Sequence, residues 1–185
     1  MVKLIQDHTC TSNLAELKAT AESPYHFTDA GLPNVYLSGI KYFICEVCQQ
    51  IVRAEIPAIK ELLDAIARAV VTKQSPLKGV EVKFLRKRLG MRAIDFAKII
   101  DTTPEQLSRF ENEHNGISGT MDRFIRLVYA FIKKDAKLKT LIHKVQEEFE
   151  KWSTSIHEFP TGERIVAEFR ANKKWIAETE CAAAA

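Results

Sequence analysis

Long apolar runs are missing from this chain, and cysteines are too sparse to staple it. No hydrophobic stretch in its 185 residues approaches the roughly 18 that a membrane helix requires. The opening MVKLIQDHTC brings acidic and polar residues too early for a secretory signal, so a cytoplasmic location is expected. Four cysteines in a chain of this kind read as metal ligands or free thiols rather than a disulfide framework. Catalytic signatures are missing too. His8, His26, His114, His143 and His157 are scattered, with no HExxH, nucleophile elbow or phosphate loop. No enzyme is expected, and no internal repeat is seen. What remains is ordinary globular composition, 46% hydrophobic and 28% charged, long enough for one sizeable core or two small ones.

The net charge of +3 is small, but it is unevenly placed. Residues 1–77 carry 7 basic and 8 acidic side chains, and residues 135–185 carry 8 and 9. Residues 78–134 carry 12 and 7, so the middle third holds the whole positive excess. A local excess of this size is compatible with nucleic acid and equally with a solvated face.

Aromatic and β-branched runs at Tyr25–Phe27, Val35–Leu37 and Ile40–Ile44 predict strands, separated by the turn chemistry of Gly31-Leu32-Pro33-Asn34 and Ser38-Gly39. The second and third runs are close enough for a hairpin. A helix should follow, with Pro57 in its first turn and Ile59, Leu62, Leu63, Ile66 and Val70 as its apolar stripe. The polar stretch Thr72–Pro76 marks a domain boundary.

Residues 78–134 read as four short helices. Val82, Phe84, Leu85 and Leu89 give the first, ended by Gly90. Ile94, Phe96, Ala97 and Ile100 give the second. Thr103-Pro104-Glu105-Gln106 opens the third, with Thr103 as cap, Pro104 in the first helical position and Gln106 completing a capping box. Met121, Phe124, Ile125, Val128 and Phe131 predict the core stripe of the fourth. Further on, Leu138, Leu141, Ile142, Val145, Phe149 and Trp152 form another helical stripe, a dimer seam or a face packed on its own domain, and from Ser153 to Cys181 helix and strand are both open.

A short helix, a tight Asp101-Thr102 turn and a capped helix form the layout of a helix-turn-helix. At about 100° per residue, Leu107, Phe110 and Glu111 share one face of the capped helix. Glu105, Gln106, Ser108, Arg109 and Asn112 take the other, where Arg109 could bridge guanine O6 and N7 and Gln106 could pair with adenine. Arg92, Asn115 and Thr120 are candidates for phosphate.

The residues Leu85–Met91, Asp95-Phe96-Ala97 and Leu107–Asn112 resemble the phage repressor and Cro type of helix-turn-helix. In that family an arginine of the first helix pairs with a glutamate closing the recognition helix, which implies an Arg86–Glu111 ion pair here. Ala93 departs from the family, which often has glutamine there, so readout should rest more on the recognition helix.

Cys45 and Cys48 have the spacing of half a structural zinc site, and Cys10 with His8 or Asp7 could complete four ligands around Zn²⁺. A metal-free knuckle is the other reading, and Cys181 is a bystander. In order along the chain, Gly31–Gly39, the cysteine pair, Glu55-Ile56-Pro57, Leu77-Lys78-Gly79 and Phe84–Lys87 resemble the MqsA-type antitoxins, also called YgiT-type zinc-finger/helix-turn-helix proteins. The resemblance spans about residues 5–134. It implies a zinc-binding front domain that can hold a toxin, a DNA-binding domain that represses the operon, and a homodimer. The chain departs from the pattern at Asp7, where the family usually has cysteine, and runs some 50 residues further.

The expectation is therefore an α+β protein in three parts. A small β-rich, zinc-finger-like domain covers 1–76, a helix-turn-helix domain 77–134, and a mainly helical extension 135–185 for dimerisation or partner contact. Its expected function is that of a sequence-specific transcriptional regulator on a double-stranded operator, as the antitoxin of its own operon. A stand-alone repressor and a protein-interaction module are the alternatives.

Overall fold

Aromatic and β-branched runs bring much of the front of the chain into strands, and the computed structural model, which describes residues 2–4, 13–112, 116–133 and 163–181, sorts them into two sheets. One sheet runs β1 (Val2–Leu4), β6 (Ile51–Glu55), β5 (Lys41–Cys45), β2 (Leu14–Lys18), antiparallel throughout. The other runs β3 (Tyr25–His26), β4 (Val35–Ser38), β7 (Glu163–Phe169), β8 (Trp175–Cys181). With five helices, the described residues make a mixed α+β fold. None of the described helices is long and apolar enough to cross a membrane.

The hairpin expected between Val35–Leu37 and Ile40–Ile44 does not form. β4 and β5 follow one another in sequence yet lie in different sheets. Gly39, at φ 79°, turns the chain between them, and its N–H donates to the Ala19 carbonyl at 2.9 Å. A Cβ at Gly39 would collide with the Phe169 carbonyl, so only glycine allows β7 to close against this turn. Leu37 and Ile40, on either side, are both buried, and the chain passes through the core instead of folding back beside itself.

In the C-terminal extension, expected to be mainly helical, the described part of the stretch left open between helix and strand is extended. Its stripe at 138–152 lies outside the described residues, but 163–181 form the β7–β8 hairpin. β7 alternates, with Ile165 and Ala167 buried, and it pairs in parallel with β4 from Val35↔Ile165 to Ser38↔Glu168. A parallel partner cannot come from a tight turn and needs a long crossover, and β5, β6 and the five described helices lie between β4 and β7. The hairpin therefore completes the front sheet.

Helix α1 (Ile59–Thr72) packs beside β8, and Trp175 Nε1 donates to the Pro57 carbonyl at 2.9 Å. The helix starts after Pro57, not with it, because Ala58 stands at the N-cap in the left-handed region. Helices α2 (Gly79–Arg88), α3 (Ala93–Ile99), α4 (Pro104–Glu111) and α5 (Gly119–Lys133) follow. Buried apolar residues from both ends, including Leu37, Ile66, Val70, Leu85, Leu107, Ile125 and Ile165, belong to one core cluster.

The polar stretch after α1, expected as a boundary, is held from two sides. Arg126 of α5 is 9% exposed and donates to the carbonyls of Val71 at 2.8 Å, Lys73 at 2.7 Å and Ser75 at 2.7 Å. These include carbonyls that the end of α1 leaves without intrahelical partners. Asp122 receives Arg126 Nε at 2.9 Å and the Leu77 backbone N–H at 2.6 Å. On the other side, the buried Lys73 ammonium lies 3.0 Å from Glu81 of α2 and 3.2 Å from Glu163 of β7. Ser75 donates its hydroxyl to that same Glu163 oxygen.

This clamp rotates α5 relative to the stripe read from sequence. Its buried face is Asp122, Ile125, Arg126, Tyr129 and Ala130, whereas Phe124 and Phe131 face outward. Of the five stripe residues, Ile125 is buried as expected and Met121 and Val128 are partly buried against the core.

Replacing Arg126 by Met would leave Asp122 buried without its cation. The expected cost is about 3–5 kcal/mol, visible as a lower urea midpoint at unchanged slope. A loss below about 1 kcal/mol would show that the guanidinium does not hold the linker.

Candidate nucleic-acid interface

The helical unit begins with α2, whose Val82 and Leu85 are fully buried and whose last turn is basic. Gly90, at φ 70°, ends it in the left-handed conformation that glycine adopts freely. After α3 the backbone reverses through Asp101, at φ 50°, and Thr102 donates its N–H to the Ala97 carbonyl at 2.9 Å. The turn is short because Phe96, Ala97 and Ile100 on one side and Leu107 on the other must share the same core. Thr103 then caps α4, with its side chain accepting from the Gln106 N–H at 3.2 Å.

Arg86 and Glu111 lock α2 to α4. Arg86 Nε meets Glu111 Oε1 at 2.6 Å and Nη2 meets Oε2 at 2.7 Å, a two-pronged contact. The remaining Nη1 donates to the Met91 carbonyl at 3.0 Å, beyond Gly90. The side chains are 12% and 7% exposed, so the pair is nearly dry. Hydrogen bonding to Glu111 raises the Arg86 pKa above its ordinary value. One guanidinium thus fixes the end of α4 and the loop into α3 together.

The outward face of α4 carries Glu105, Gln106, Ser108, Arg109 and Asn112, all exposed. They are not equally available. Arg109 makes no ion pair or hydrogen bond with another described residue. Gln106 gives its Oε1 to the Thr102 hydroxyl at 2.7 Å and faces the Thr103 N–H at 3.5 Å. An amide engaged that way cannot offer both edges to adenine, so the expected two-point pairing is not open in this conformation. Asn112, the C-cap residue, spends its amide on the Ser108 carbonyl at 2.9 Å and hydroxyl at 3.3 Å. Glu105 keeps its carboxyl below the usual range through its own backbone N–H and then the Thr103 side chain, so it stays an acceptor.

Arg92 is exposed at the N-cap of α3, where it pairs with Asp95 at 2.7 and 3.2 Å. That hydrogen bonding holds the Asp95 carboxyl below its ordinary value. The i,i+3 spacing was the sequence signal for this partner, and reading Arg92 for phosphate alone overlooked it. Thr120 is exposed in the first turn of α5, whose Met121 N–H is held by the Ser118 hydroxyl at 3.3 Å. Asn115 lies outside the described residues.

The cysteine pair lies in the strand region, where β5 passes into β6. Cys45 ends β5 and is buried, while Cys48 is exposed on the turn into β6. Cys45 N–H donates to the Gln50 carbonyl at 2.9 Å, and Gln49 N–H to the Cys45 carbonyl at 2.9 Å. The turn offers two sulfurs, half of a tetrahedral set. Asp7, His8 and Cys10 lie outside the described residues, among which no group of three or more His, Cys, Asp or Glu gathers as a metal site. No family model, curated protein or solved structure matches the chain.

Arg86→Ala should cost about 3–5 kcal/mol by stranding Glu111, measured by urea unfolding. Arg86→Lys should recover only part, because a point charge cannot replace the fork. Full recovery by lysine would mean that charge, not geometry, carries the contact.

Proposed function

We propose that this chain is a sequence-specific DNA-binding transcriptional regulator that reads its operator with α4. The observation that carries the reading is the α3–turn–α4 unit, braced by Arg86 and Glu111 from behind and bearing an uncommitted Arg109 in front. A brace buried on one face leaves the other face rigid, which is what a reader of base edges in the major groove requires. Arg109 is the base-reading residue, suited to guanine. Glu105 accepts from cytosine, and Ser108 adds a hydroxyl. Gln106 acts as the cap of α4, and Arg92 and Thr120 meet phosphate. A homodimer would set two α4 helices on half-sites about one helical turn apart.

An antitoxin role, repression of its own operon and a zinc-bearing front domain extend this proposal. They rest on the resemblance of residues 5–134 to the MqsA type and on the Cys45–Cys48 turn. If zinc is held there, it is structural, and no part of DNA reading passes through it.

Binding to a duplex palindrome from the gene's own promoter, followed at several salt concentrations, tests the reading. Arg109→Ala should weaken specific binding by about 1–3 kcal/mol, roughly five- to 150-fold, and relax the preference at one base pair. Equal binding of wild type and variant would remove α4 as reader and favour a protein-interaction module. Asp95→Asn releases Arg92 for phosphate, so it should strengthen binding to all sequences and steepen the salt dependence by about one ion. An unchanged salt slope would remove Arg92 from the interface.

A further inference from the structure

Strand β2 (Leu14–Lys18) forms one edge of its sheet, and among the described residues nothing pairs with its outer side. Its backbone is turned for pairing. Ala19 donates its N–H to the Ile40 carbonyl at 2.9 Å and accepts the Gly39 N–H at 2.9 Å. At the other end, the Asn13 carbonyl accepts the Glu46 N–H at 3.2 Å. The odd-numbered residues therefore bond toward β5, and by the two-residue period Leu14, Glu16 and Lys18 aim their N–H and C=O groups outward. An open ladder of this kind is a template for another strand. We propose that β2 pairs with β2 of a second copy of this chain, antiparallel, across a two-fold axis at Leu17.

Charge selects the occupant and the register. Glu16 and Lys18 stand two residues apart on one face, so the edge is complementary to itself read backwards. Within the sheet Lys18 lies directly across from Lys41, whose ammonium goes to Glu16 at 2.6 Å. Lys18 is thus left beside a like charge, a destabilising pair, and meets no carboxylate among the described residues. A two-fold axis at Leu17 sets Glu16 of each copy across from Lys18 of the other, so the pair forms twice. An axis at Glu16 would set the two carboxylates against each other, and one at Ala15 would set Glu16 against Leu14.

The same axis brings the two Leu17 side chains together. Leu17 is 38% exposed and shares its face with Tyr42, its partner in β5, which packs against the core. It falls at a non-hydrogen-bonded position of the new ladder, where facing side chains approach most closely. The apolar row then continues from Tyr42 through both leucines to the second Tyr42. Five residues make a seam about 17 Å long and one strand deep, less than the roughly 800 Å² per partner of a stable interface. The association is therefore weak and concentration-dependent.

The contact needs no DNA, and neither does its test. Leu17→Cys in the full chain, under mild oxidation, should give a disulfide-linked dimer mapped to that position. Its yield should rise with protein concentration, against the unsubstituted chain as baseline. The axis brings those Cα atoms to about 4.5 Å, within disulfide reach. Lys18→Cys should give nothing above baseline, because its Cα atoms lie beyond about 7 Å across the same axis. Glu16→Lys or Lys18→Glu, each added to Leu17→Cys, should cut the linked yield about tenfold. The two reversals together should restore it, since they also keep an acid beside Lys41, with an unchanged urea midpoint showing the fold intact. Linkage by Lys18→Cys equal to that by Leu17→Cys would overturn the proposal, as would a double reversal no better than the single ones. So would a Leu17→Cys chain that never links, which would assign the edge to a strand of another protein.

Discussion

Arg126 is the side chain on which the arrangement turns. A helix that ends inside a protein leaves carbonyls without donors, and buried carbonyls without donors are expensive. Arg126 reaches across from α5 and supplies donors to Val71, Lys73 and Ser75, while Asp122 balances its charge and takes the Leu77 N–H. The stretch that would otherwise be a hinge is thereby held in place. Lys73, fixed by its own carbonyl, then directs its ammonium between Glu81 and Glu163 and brings β7 against the start of α2. A single ammonium shared by two carboxylates ties the C-terminal hairpin to the helical unit.

The Arg86–Glu111 pair does for the α2–α4 unit what Arg126 does for the linker. Both use the planar fork of a guanidinium on a carboxylate and spend the remaining N–H on a carbonyl that the backbone has left over. The consequence for function is selective. Middle-third cations are divided between structure and surface, with Arg86, Arg88 and Arg126 committed inside and Arg109 left outside. On our reading, the basic excess of that region counts less toward DNA than the placement of Arg109.

Much of the candidate site was legible in the sequence because it depends on contacts close along the chain. Thr103, Pro104 and Gln106 lie within one turn, and the observed cap uses all three. Gly90 ends α2 for a reason confined to its own backbone. Gln106 shows the limit of such reading: its capping role was visible, but the cost of that role to base pairing was not, because one oxygen serves only so many partners. The strand region was harder. Val35–Leu37 and Ile40–Ile44 are strands as read, yet their nearness suggested a hairpin, whereas β4 and β5 join different sheets.

By itself, then, the sequence determined the local elements: the strand runs, α2 through α4, their caps and turns, and the outward placement of Arg109. These follow from propensity and periodicity, which act over a few residues. Only the tertiary structure decided that residues 163–181 are strands beside β4, and that α5 buries Asp122 and Arg126 while turning Phe124 and Phe131 outward. Hydrophobic periodicity counts apolar groups and is blind to orphaned carbonyls. Where α1 ends, satisfying those carbonyls took a buried arginine, and the helix rotated to deliver it.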